Sequence, residues 1–325
     1  MILFENESKN AAFWFAAEEY IMQVLRPSEP ALMIWSTEDT IMIGANQIAE
    51  AECDMAYAEA EGIAIVRRPS GGGAIFTDRG TLQVSIILPQ EPKGDHATVS
   101  RKWLIEPVIS TLAAYGVEAS HEGRNDIVID GRKVSGIAQH IKSGYISSHC
   151  SLLFNTDLEK LASSLTADRE KYITKAIASV RARVANISEF IEEKSPENFR
   201  DALINTYQRL QFRRIEIESD EIASIMYERY LNPEWTFGRE PAFTFTNKKR
   251  FPGGLLEVFL DVKSGVIQSA KINGDFLSLL PVSELEKKLT GLYYRADAIE
   301  EALISVDITA YLGSIGKEEL FQVLF

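Results

Sequence analysis

Apolar and polar residues alternate with two different periods along the first half of the chain. Helical spacing predicts a helix over 8–25, and strand spacing predicts strands at 31–35 and 40–44. The pattern then predicts, in order, a helix over 46–61, strands over 63–66 and 81–88, a helix over 98–115, and strands from about 117 to 154. Pro107 lies inside the 98–115 pattern and is expected to kink that helix or mark its first turn.

The second half of the chain changes from helical patterns to a short mixed pattern. Amphipathic spacing predicts helices over 157–165, 196–210 and 219–231, and a hairpin and three further helices are predicted over 255–272, 282–290, 296–304 and 317–324. Between them, 233–253 is rich in Pro, Gly and aromatic residues, which is typical of a domain boundary. We therefore expect a first domain over 1–246 and a small α+β domain over 247–325.

Composition and charge exclude several classes of function. The chain has 325 residues, of which 46% are hydrophobic, and its net charge is -13. This negative field makes nucleic acid and anionic membranes unlikely partners. No apolar run approaches the 18 residues that a membrane helix needs, and the N-terminus lacks the basic start of a signal peptide. Two cysteines are too few for a disulfide scaffold, so a reduced cytoplasmic protein is expected.

Three consecutive glycines, Gly71–Gly73, follow a short apolar run and two arginines, Arg67 and Arg68. Glycine allows the backbone to approach a ligand closely, and arginine offers a fixed fork of donors for phosphate or carboxylate. The residues after the glycines predict a strand rather than a helix, so neither the Walker nor the Rossmann pattern applies. The stretch predicts an anion site between two strands, or else a glycine-rich turn with solvated arginines.

A second group of polar residues lies on a predicted hairpin with its turn at Asp130–Gly131. Lys133 follows the turn, while Asn125 and Asp126 lie near the far end of the partner strand, so a cation, a carboxylate and an amide can meet at one cleft. Taken alone, Lys133 is also consistent with a solvated strand lysine. Farther along, His149 and Cys150 are equally consistent with buried core residues.

Together these segments resemble the signatures of one family, the lipoate–protein ligases. The resemblance is carried by Arg68–Asp78 (R-x-S-G-G-G-A-V-F/Y-H-D), Asn125–Asp126 with Gly131–Gln139 (N-D and G-R-K-V-S-G-x-A-Q), His149 with Leu152–Phe154 (H-G-x-L-L-F), and Ser179–Ile187 (S-V-R-x-R-V-x-N-L). The tail, with Trp235–Gly238 and Tyr293–Asp297, resembles the accessory domain of the bacterial lipoate–protein ligase A type.

The resemblance implies a fold and an activity. The fold is α+β, with biotin/lipoate ligase-like mixed and antiparallel sheets flanked by helices, plus a small α+β C-terminal domain. The activity joins lipoate to AMP with Mg-ATP, then passes the lipoyl group to a lysine of apo lipoyl-carrier domains. These carriers are the E2 subunits of 2-oxoacid dehydrogenases and the H protein of glycine cleavage.

The resemblance also implies roles for particular residues. Lys133 would be catalytic, contacting both the lipoyl carbonyl and the phosphate and stabilising the charge that develops there. Asp126 would help to hold Mg²⁺. The residues expected to bind ATP and the adenylate are Arg68, Gly73, Ala74, Ile75, Phe76, Asp126 and Lys133. The residues expected to bind lipoate are Ser70, Gly71, Gly72, Lys133, Gly136, Ala138 and His149.

The chain departs from the family pattern at three places. The family's histidine after F/Y is Thr77, its G-N pair is Gly80–Thr81, and its glycine after His149 is Cys150. These departures are expected to fall around the acyl pocket, which leaves the choice between lipoate and octanoate open.

Two other functions are consistent with the same residues. An ATP-independent acyl transferase could form a thioester on Cys150 if His149 lowered the pKa of the thiol. A non-enzymatic protein could instead bind lipoate or an acyl-adenylate, although pure binding does not require the cation of Lys133.

Overall fold

The computed structural model describes residues 1–47, 49–90, 96–123, 125–165, 182–208, 212–237, 245–263 and 265–325. Its strands are β1 (Ile2–Glu5), β2 (Ala31–Trp35), β3 (Thr40–Ile43), β4 (Ala64–Arg67), β5 (Ile75–Thr77), β6 (Thr81–Pro89), β7 (Ser120–Glu122), β8 (Asp126–Ile129), β9 (Arg132–Lys142), β10 (Tyr145–Leu153), β11 (Arg213–Glu216), β12 (Phe245–Phe251), β13 (Gly254–Lys263) and β14 (Val266–Gly274).

The helices within these ranges are α1 (Ala11–Tyr20), α2 (Ala49–Glu52), α3 (Met55–Glu61), α4 (His96–Ser100), α5 (Glu106–Ala114), α6 (Leu158–Ser164), α7 (Pro196–Gln208), α8 (Asp220–Ile225), α9 (Pro233–Phe237), α10 (Val282–Leu289), α11 (Ala296–Ala302), α12 (Ile308–Leu312) and α13 (Lys317–Leu324). Three of them are extended by π-helical turns, at Ile21–Leu25, Arg101–Ile105 and Met226–Tyr230.

The largest sheet has eight strands in the order β11-β1-β2-β6-β10-β9-β8-β7. Strand β1 runs parallel to both β11 and β2, and the remaining pairs are antiparallel. Hydrophobic residues alternate between its two faces: Leu3 packs into one core, while its neighbours Ile2 and Phe4 pack into the other. Helices α5 and α7 cover the first face and α1 and α8 the second, so the sheet is buried on both sides.

A second sheet of three strands, β4-β3-β5, carries the glycine loop between β4 and β5. Strand β3 is parallel to β4 and antiparallel to β5, and its core includes Ile41, Ile43 and Phe76. The glycine loop therefore lies between two strands as predicted, but the strand that follows it is β5 rather than the predicted strand over 81–88.

The C-terminal part of the chain forms a third sheet, β12-β13-β14, with its own hydrophobic core. Helices α10 and α13 pack on it through residues such as Leu285 and Leu320. Together the sheets and helices confirm the expected α+β class. The division at residue 246 stays a prediction, and the run Lys248–Arg250 beside it belongs to β12, an exposed edge strand that pairs with β13.

Several predicted helices form with altered boundaries. The helix predicted over 46–61 is two helices, because the Asp54 side chain caps the start of α3 by accepting a hydrogen bond from the Tyr57 amide. The preceding residue, Cys53, pairs with Leu165 through backbone hydrogen bonds as an isolated β-bridge. The segment from His96 to Ala114 is continuously helical, because α4, the π-helical turn Arg101–Ile105 and α5 follow one another without a break, and Pro107 is the second residue of α5. The helix predicted over 98–115 therefore forms with Pro107 inside it, directly after the π-helical turn, and the alternative in which Pro107 marks the first turn is wrong.

Some elements were not predicted, and some predictions fall outside the described residues. The unpredicted elements are β1, β5, β11, β12, α9 and α12, and all of them except the seven-residue β12 have five residues or fewer. Residues 179–181, Gly238 and the last two positions of the predicted 196–210 helix lie outside the described ranges. Within those ranges, no helix has both the length and the apolar character needed to cross a bilayer.

Glu19 joins three parts of the fold in a nearly buried ion cluster. Its carboxylate accepts hydrogen bonds from Arg229 Nη1 at 2.8 Å and Tyr230 Oη at 2.9 Å, and it is paired with Lys142. These contacts tie α1 to β9 and to the π-helical turn after α8. Because its partners are charged and largely desolvated, loss of the carboxylate leaves two cations without their shared counter-ion.

We expect Glu19→Ala to lower the free energy of unfolding by about 3 kcal/mol, the lower end of the cost of breaking a buried ion pair. Urea denaturation would measure this. The control is Glu7→Ala on the exposed segment before α1, which should change the free energy by less than about 0.5 kcal/mol. A loss of under 1 kcal/mol for Glu19→Ala, by the same rough scale, would refute the role of the cluster.

Candidate functional site

A cleft of about 280 Å³ lies where the glycine loop faces strands β9 and β10. Part of its wall is apolar, formed by Phe15, Trp35, Met42, Ile137 and Leu153. The predicted site residues on its lining are Arg68, Gly72, Gly73, Ala74, Ile75, Phe76, Lys133, Gly136, Ala138 and His149. A larger groove of about 640 Å³, over Lys9 and Arg200, contains neither the glycine loop nor Lys133.

The glycine loop is shaped by the buried guanidinium of Arg68. Its Nη2 donates to the carbonyls of Gly71 at 2.8 Å and Gly73 at 2.7 Å, and its Nη1 donates to Met42 O at 2.8 Å. Its Nε donates to Ser70 Oγ at 3.2 Å. Burial lowers the pKa of Arg68 to about 10, so the group stays charged at neutral pH. In this arrangement Arg68 holds the loop, and its contact with phosphate stays a prediction.

Arg67 has a purely structural environment. It is fully buried and donates to main-chain carbonyls of Gly44, Gln47, Trp235 and Thr236. The expectation that both arginines contribute to an anion site is therefore wrong for Arg67. Its side chain points away from the cleft because the carbonyls around α9 and the β3 end need a donor.

Close backbone packing requires glycine both in the loop, at Gly72, and at Gly44, which packs against it after β3. Gly72 has a φ of 92°, a left-handed conformation that glycine adopts without steric cost. A Cβ built on Gly44 would lie 2.1 Å from the Gly72 carbonyl oxygen. The loop also touches the C-terminal unit, since the Gly72 amide donates to Phe276 O at 3.0 Å and Leu277 lines the cleft.

The predicted hairpin brings Lys133 and Asp126 together, with Lys133 on the cleft lining and Asp126 beside the cleft rather than on its lining. Its turn residues Asp130 and Gly131 have φ values of 50° and 72°, as a two-residue hairpin turn requires. Lys133 Nζ lies 2.7 Å from Asp126 Oδ1, with the two side chains 37% and 35% exposed. A Cβ on Gly136 would lie 3.1 Å from Lys133 Nζ, so the glycine leaves room for the lysine side chain. The convergence of these residues is confirmed.

His149 faces the glycine loop, contacts the predicted residue Ser70, and lies beside two residues that were not predicted, Glu18 and His140. Its Nε2 lies 2.7 Å from Ser70 Oγ, and its Nδ1 lies 3.7 Å from Oε1 of the buried Glu18. His140 completes the cluster, in which the three side chains bring possible ligand atoms within 4.8 Å of one another. Ser70 and Gly71 lie directly behind the lining rather than on it.

Charge in this cluster resides on Glu18 rather than on His140. Burial is the largest influence on the pKa of Glu18 and acts to raise it, but the interactions with His149, together with those of His140 and Ser85, bring the pKa below its ordinary value. Burial lowers the pKa of His140 to about 4, so that ring is neutral at physiological pH. A signal for Glu18 was available, because Glu18 and Glu19 are the two acidic residues of a helix that otherwise consists of alanine and aromatic residues.

Cys150 lies on the opposite face of β10 from His149. Its thiol is buried in the core beneath α7, and burial raises its pKa to about 12. The alternative in which His149 activates this thiol is therefore wrong, because adjacent strand residues point to opposite faces of a sheet. The thiol stays protonated and out of reach of the cleft.

The other departures from the family pattern also avoid the cleft. Thr77 is buried and shares a hydrogen bond with Thr37 at 2.8 Å. Thr81 is buried and donates to Asp78 Oδ1 at 2.9 Å. The expectation that these positions surround the acyl pocket is wrong, since none of the three side chains lines the cavity.

Comparison with known proteins gives consistent matches along the chain. The family described as "Lipoyl protein ligase A/B catalytic domain" matches residues 10–208, and "Bacterial lipoate protein ligase C-terminus" matches residues 240–324. Over 334 aligned positions, the chain is 37% identical to lipoate-protein ligase LplJ of Bacillus subtilis (strain 168), with 100% of both chains covered.

Solved structures share this fold. The lipoate complex of P. falciparum LipL1 has a TM-score of 0.79 at 24% identity, with 94% of each chain covered. A lipoate-protein ligase A bound with ATP has a TM-score of 0.62 at 26% identity, covering 73% of this chain and 98% of its own. At 24% identity, the likeness to LipL1 supports the fold alone, and its coverage of 94% of this chain includes most of the C-terminal unit. The biotin/lipoate ligase-like architecture is confirmed.

The close packing around Gly71 leaves no room for a larger side chain, which can be tested by substitution. In Gly71→Ala a Cβ would lie 2.7 Å from Phe276 O and 2.8 Å from the Ser278 amide, so the backbone must shift. We expect a loss of about 1–3 kcal/mol in the free energy of unfolding, measured by urea denaturation.

Gly73→Ala is the matched control, because nothing lies within 4 Å of its Cβ position. It should change the free energy of unfolding by less than about 0.5 kcal/mol. Equal effects of the two substitutions would contradict the contact between the loop and the C-terminal unit.

Proposed function

This chain belongs to the lipoate–protein ligase family, and we propose that its cleft joins lipoate to AMP with Mg-ATP and then transfers the lipoyl group to a carrier lysine. The observation that carries this proposal is the position of Lys133. Its ammonium lies on the cleft lining, opposite the glycine loop and 2.7 Å from the Asp126 carboxylate. A cation there can contact both a bound carboxylate and a phosphate.

In the first half-reaction a lipoate carboxylate oxygen attacks the α-phosphorus of ATP, and pyrophosphate leaves. Negative charge grows on the phosphate oxygens, and Lys133 is placed to stabilise it. Main-chain N–H groups of the stretch Gly73–Phe76 would lie along the adenylate, because these residues form the opposite lining of the cleft. Arg68 would add positive charge while it continues to hold the loop.

In the second half-reaction the neutral amine of the carrier lysine attacks the lipoyl carbonyl carbon, and AMP leaves with the bonding electrons. The carbonyl oxygen gains negative charge, which Lys133 would again stabilise. The same ammonium group would therefore stabilise the developing negative charge in both half-reactions. We propose the E2 subunits and the H protein as the carriers.

The apolar wall suits the tail of the acid. Phe15, Trp35, Met42 and Ile137 offer hydrocarbon and aromatic surface, which favours burial of an aliphatic chain. Lipoate is the proposed substrate, and octanoate matches the same wall chemistry.

Asp126 fits the requirements of a magnesium ligand. Its carboxylate is partly exposed beside the cleft, and Mg²⁺ is commonly held by one or two carboxylates together with substrate phosphates. When bound there, magnesium would neutralise part of the charge on the ATP phosphates. Asp126 would then serve both the ion and Lys133.

The ligase function is tested with an apo lipoyl-carrier domain, Mg-ATP, lipoate and the purified chain. Mass spectrometry should show the gain of one lipoyl group, and only when ATP is present. We expect Lys133→Ala to slow lipoyl-AMP formation by about 10²–10³, the cost of removing one donor to a developing oxyanion.

Lys102→Ala on the exposed surface of the same unit is the matched control and should leave the rate unchanged. A loss below about tenfold for Lys133→Ala would exclude the proposed role of the lysine. Lipoyl transfer without ATP would exclude the ligase itself.

The buried position of Cys150 yields an independent prediction. We expect Cys150→Ala to retain the ligation rate within about twofold, since a thiol with a raised pKa and no access to the cleft supplies no nucleophile. The rate is measured by the same mass assay. Complete loss of transfer in a folded Cys150→Ala protein would restore the thioester mechanism.

A further inference from the structure

Three titratable side chains meet behind the wall of the cleft. They come from different elements: Glu18 from α1, His140 from β9 and His149 from β10. Glu18 is fully buried and His140 is 6% exposed, so their polar atoms have no contact with bulk water. Burial of such groups is costly unless they are paired, which makes their arrangement informative about function.

Ser70 lies between Arg68 and His149. Its Oγ accepts from Arg68 Nε at 3.2 Å and lies 2.7 Å from His149 Nε2. A serine oxygen has two lone pairs and one hydrogen, so Ser70 can either donate to Nε2 or accept from Nε2–H. When Ser70 donates, Nε2 is the acceptor and a neutral imidazole carries its proton on Nδ1.

Glu18 supplies the charge that favours this tautomer. Its Oε1 lies 3.7 Å from His149 Nδ1, while its Oε2 accepts from Ser147 Oγ at 3.2 Å. A carboxylate only accepts, so an Nδ1–H pointing at it is attracted and a bare Nδ1 lone pair is repelled. The attraction is strengthened by the low dielectric of the buried site.

His140 closes the cluster from the side of β9. Its ring centroid lies 6.2 Å from that of His149, and neither of its nitrogens has a hydrogen-bond partner within the described part of the chain. A bulky neutral ring at this position keeps Glu18 and His149 facing each other. The cluster therefore connects α1 to the glycine loop through His149 and Ser70.

We propose that Glu18, supported by His140, is a positioning residue for the ligation reaction. It holds His149 as the Nδ1–H tautomer, so that Nε2 keeps accepting from Ser70 and the loop keeps the shape set by Arg68. In the other tautomer, the bare Nδ1 would face the Glu18 carboxylate, and Nε2–H would donate to Ser70 Oγ, so the Ser70 hydroxyl would lose its acceptor. The activity part of this inference rests on the proposed function, whereas the tautomer does not.

The test uses the full chain labelled with ¹⁵N-histidine. We expect NMR to show an unprotonated Nε2 for His149 in the parent protein, with the signal assigned by loss in His149→Asn. Glu18→Gln should shift the signal towards a protonated Nε2. It should also lower kcat/KM for the acid by at least about tenfold, the scale on which loss of an orienting partner acts.

Two further variants separate positioning from packing. Glu18→Asp keeps the charge but is shorter, so it should retain the Nδ1–H tautomer and more activity than the isosteric Glu18→Gln. Glu7→Gln, on the exposed N-terminal segment, should leave both readouts unchanged.

If Gln preserves tautomer and activity better than Asp, Glu18 is a packing residue and the proposal is overturned. An unchanged tautomer in folded Glu18→Gln also overturns it. If the parent chain ligates nothing, the proposed function fails, while the NMR comparison of Gln and Asp still decides the tautomer.

Discussion

The burial of one guanidinium determines the shape of the cleft. Arg68 can be removed from water only if its donors are satisfied, and the carbonyls of Gly71 and Gly73 and the hydroxyl of Ser70 supply most of the partners. Those contacts fold the glycine loop around the arginine. The loop then presents its outer side, from Gly73 to Phe76, to Lys133 across the cleft.

Three separate parts of the chain depend on that loop. The small sheet anchors its ends at β4 and β5, and Phe276 of the C-terminal unit accepts a hydrogen bond from the Gly72 amide. On the inner side, His149 reaches Ser70 and connects the loop to Glu18. A change at any of these contacts would alter the conformation of the glycine loop. The packing of the three parts of the chain and the geometry of the cleft therefore depend on each other.

Local features of the site were predictable from sequence, and long-range ones were not. The Asp130–Gly131 turn sets the first pairs of the hairpin, so the approach of Lys133 and Asp126 was predictable from a few neighbouring residues. The β-bulge at Ile127–Val128, which shifts the register so that Asp126 pairs with Gly136, was not. The period of two in a strand also excludes a working His149–Cys150 pair, although the adjacency of the two residues suggested one. Glu18 and Leu277 reach the site from distant segments, and no local pattern records which tertiary contacts form. The interruption of the predicted 46–61 helix at Asp54 has a local cause. The Asp54 side chain caps α3, although the helical pattern of the sequence continues through this position.

The central claim is that this chain alone activates the acid, before any carrier is present. The direct measurement is exchange of labelled pyrophosphate into ATP by the purified protein with Mg²⁺ and lipoate. We expect exchange that requires lipoate and needs no carrier domain, because the cleft itself would bring the carboxylate and the α-phosphate to Lys133. Absence of lipoate-dependent exchange in the folded protein would contradict it.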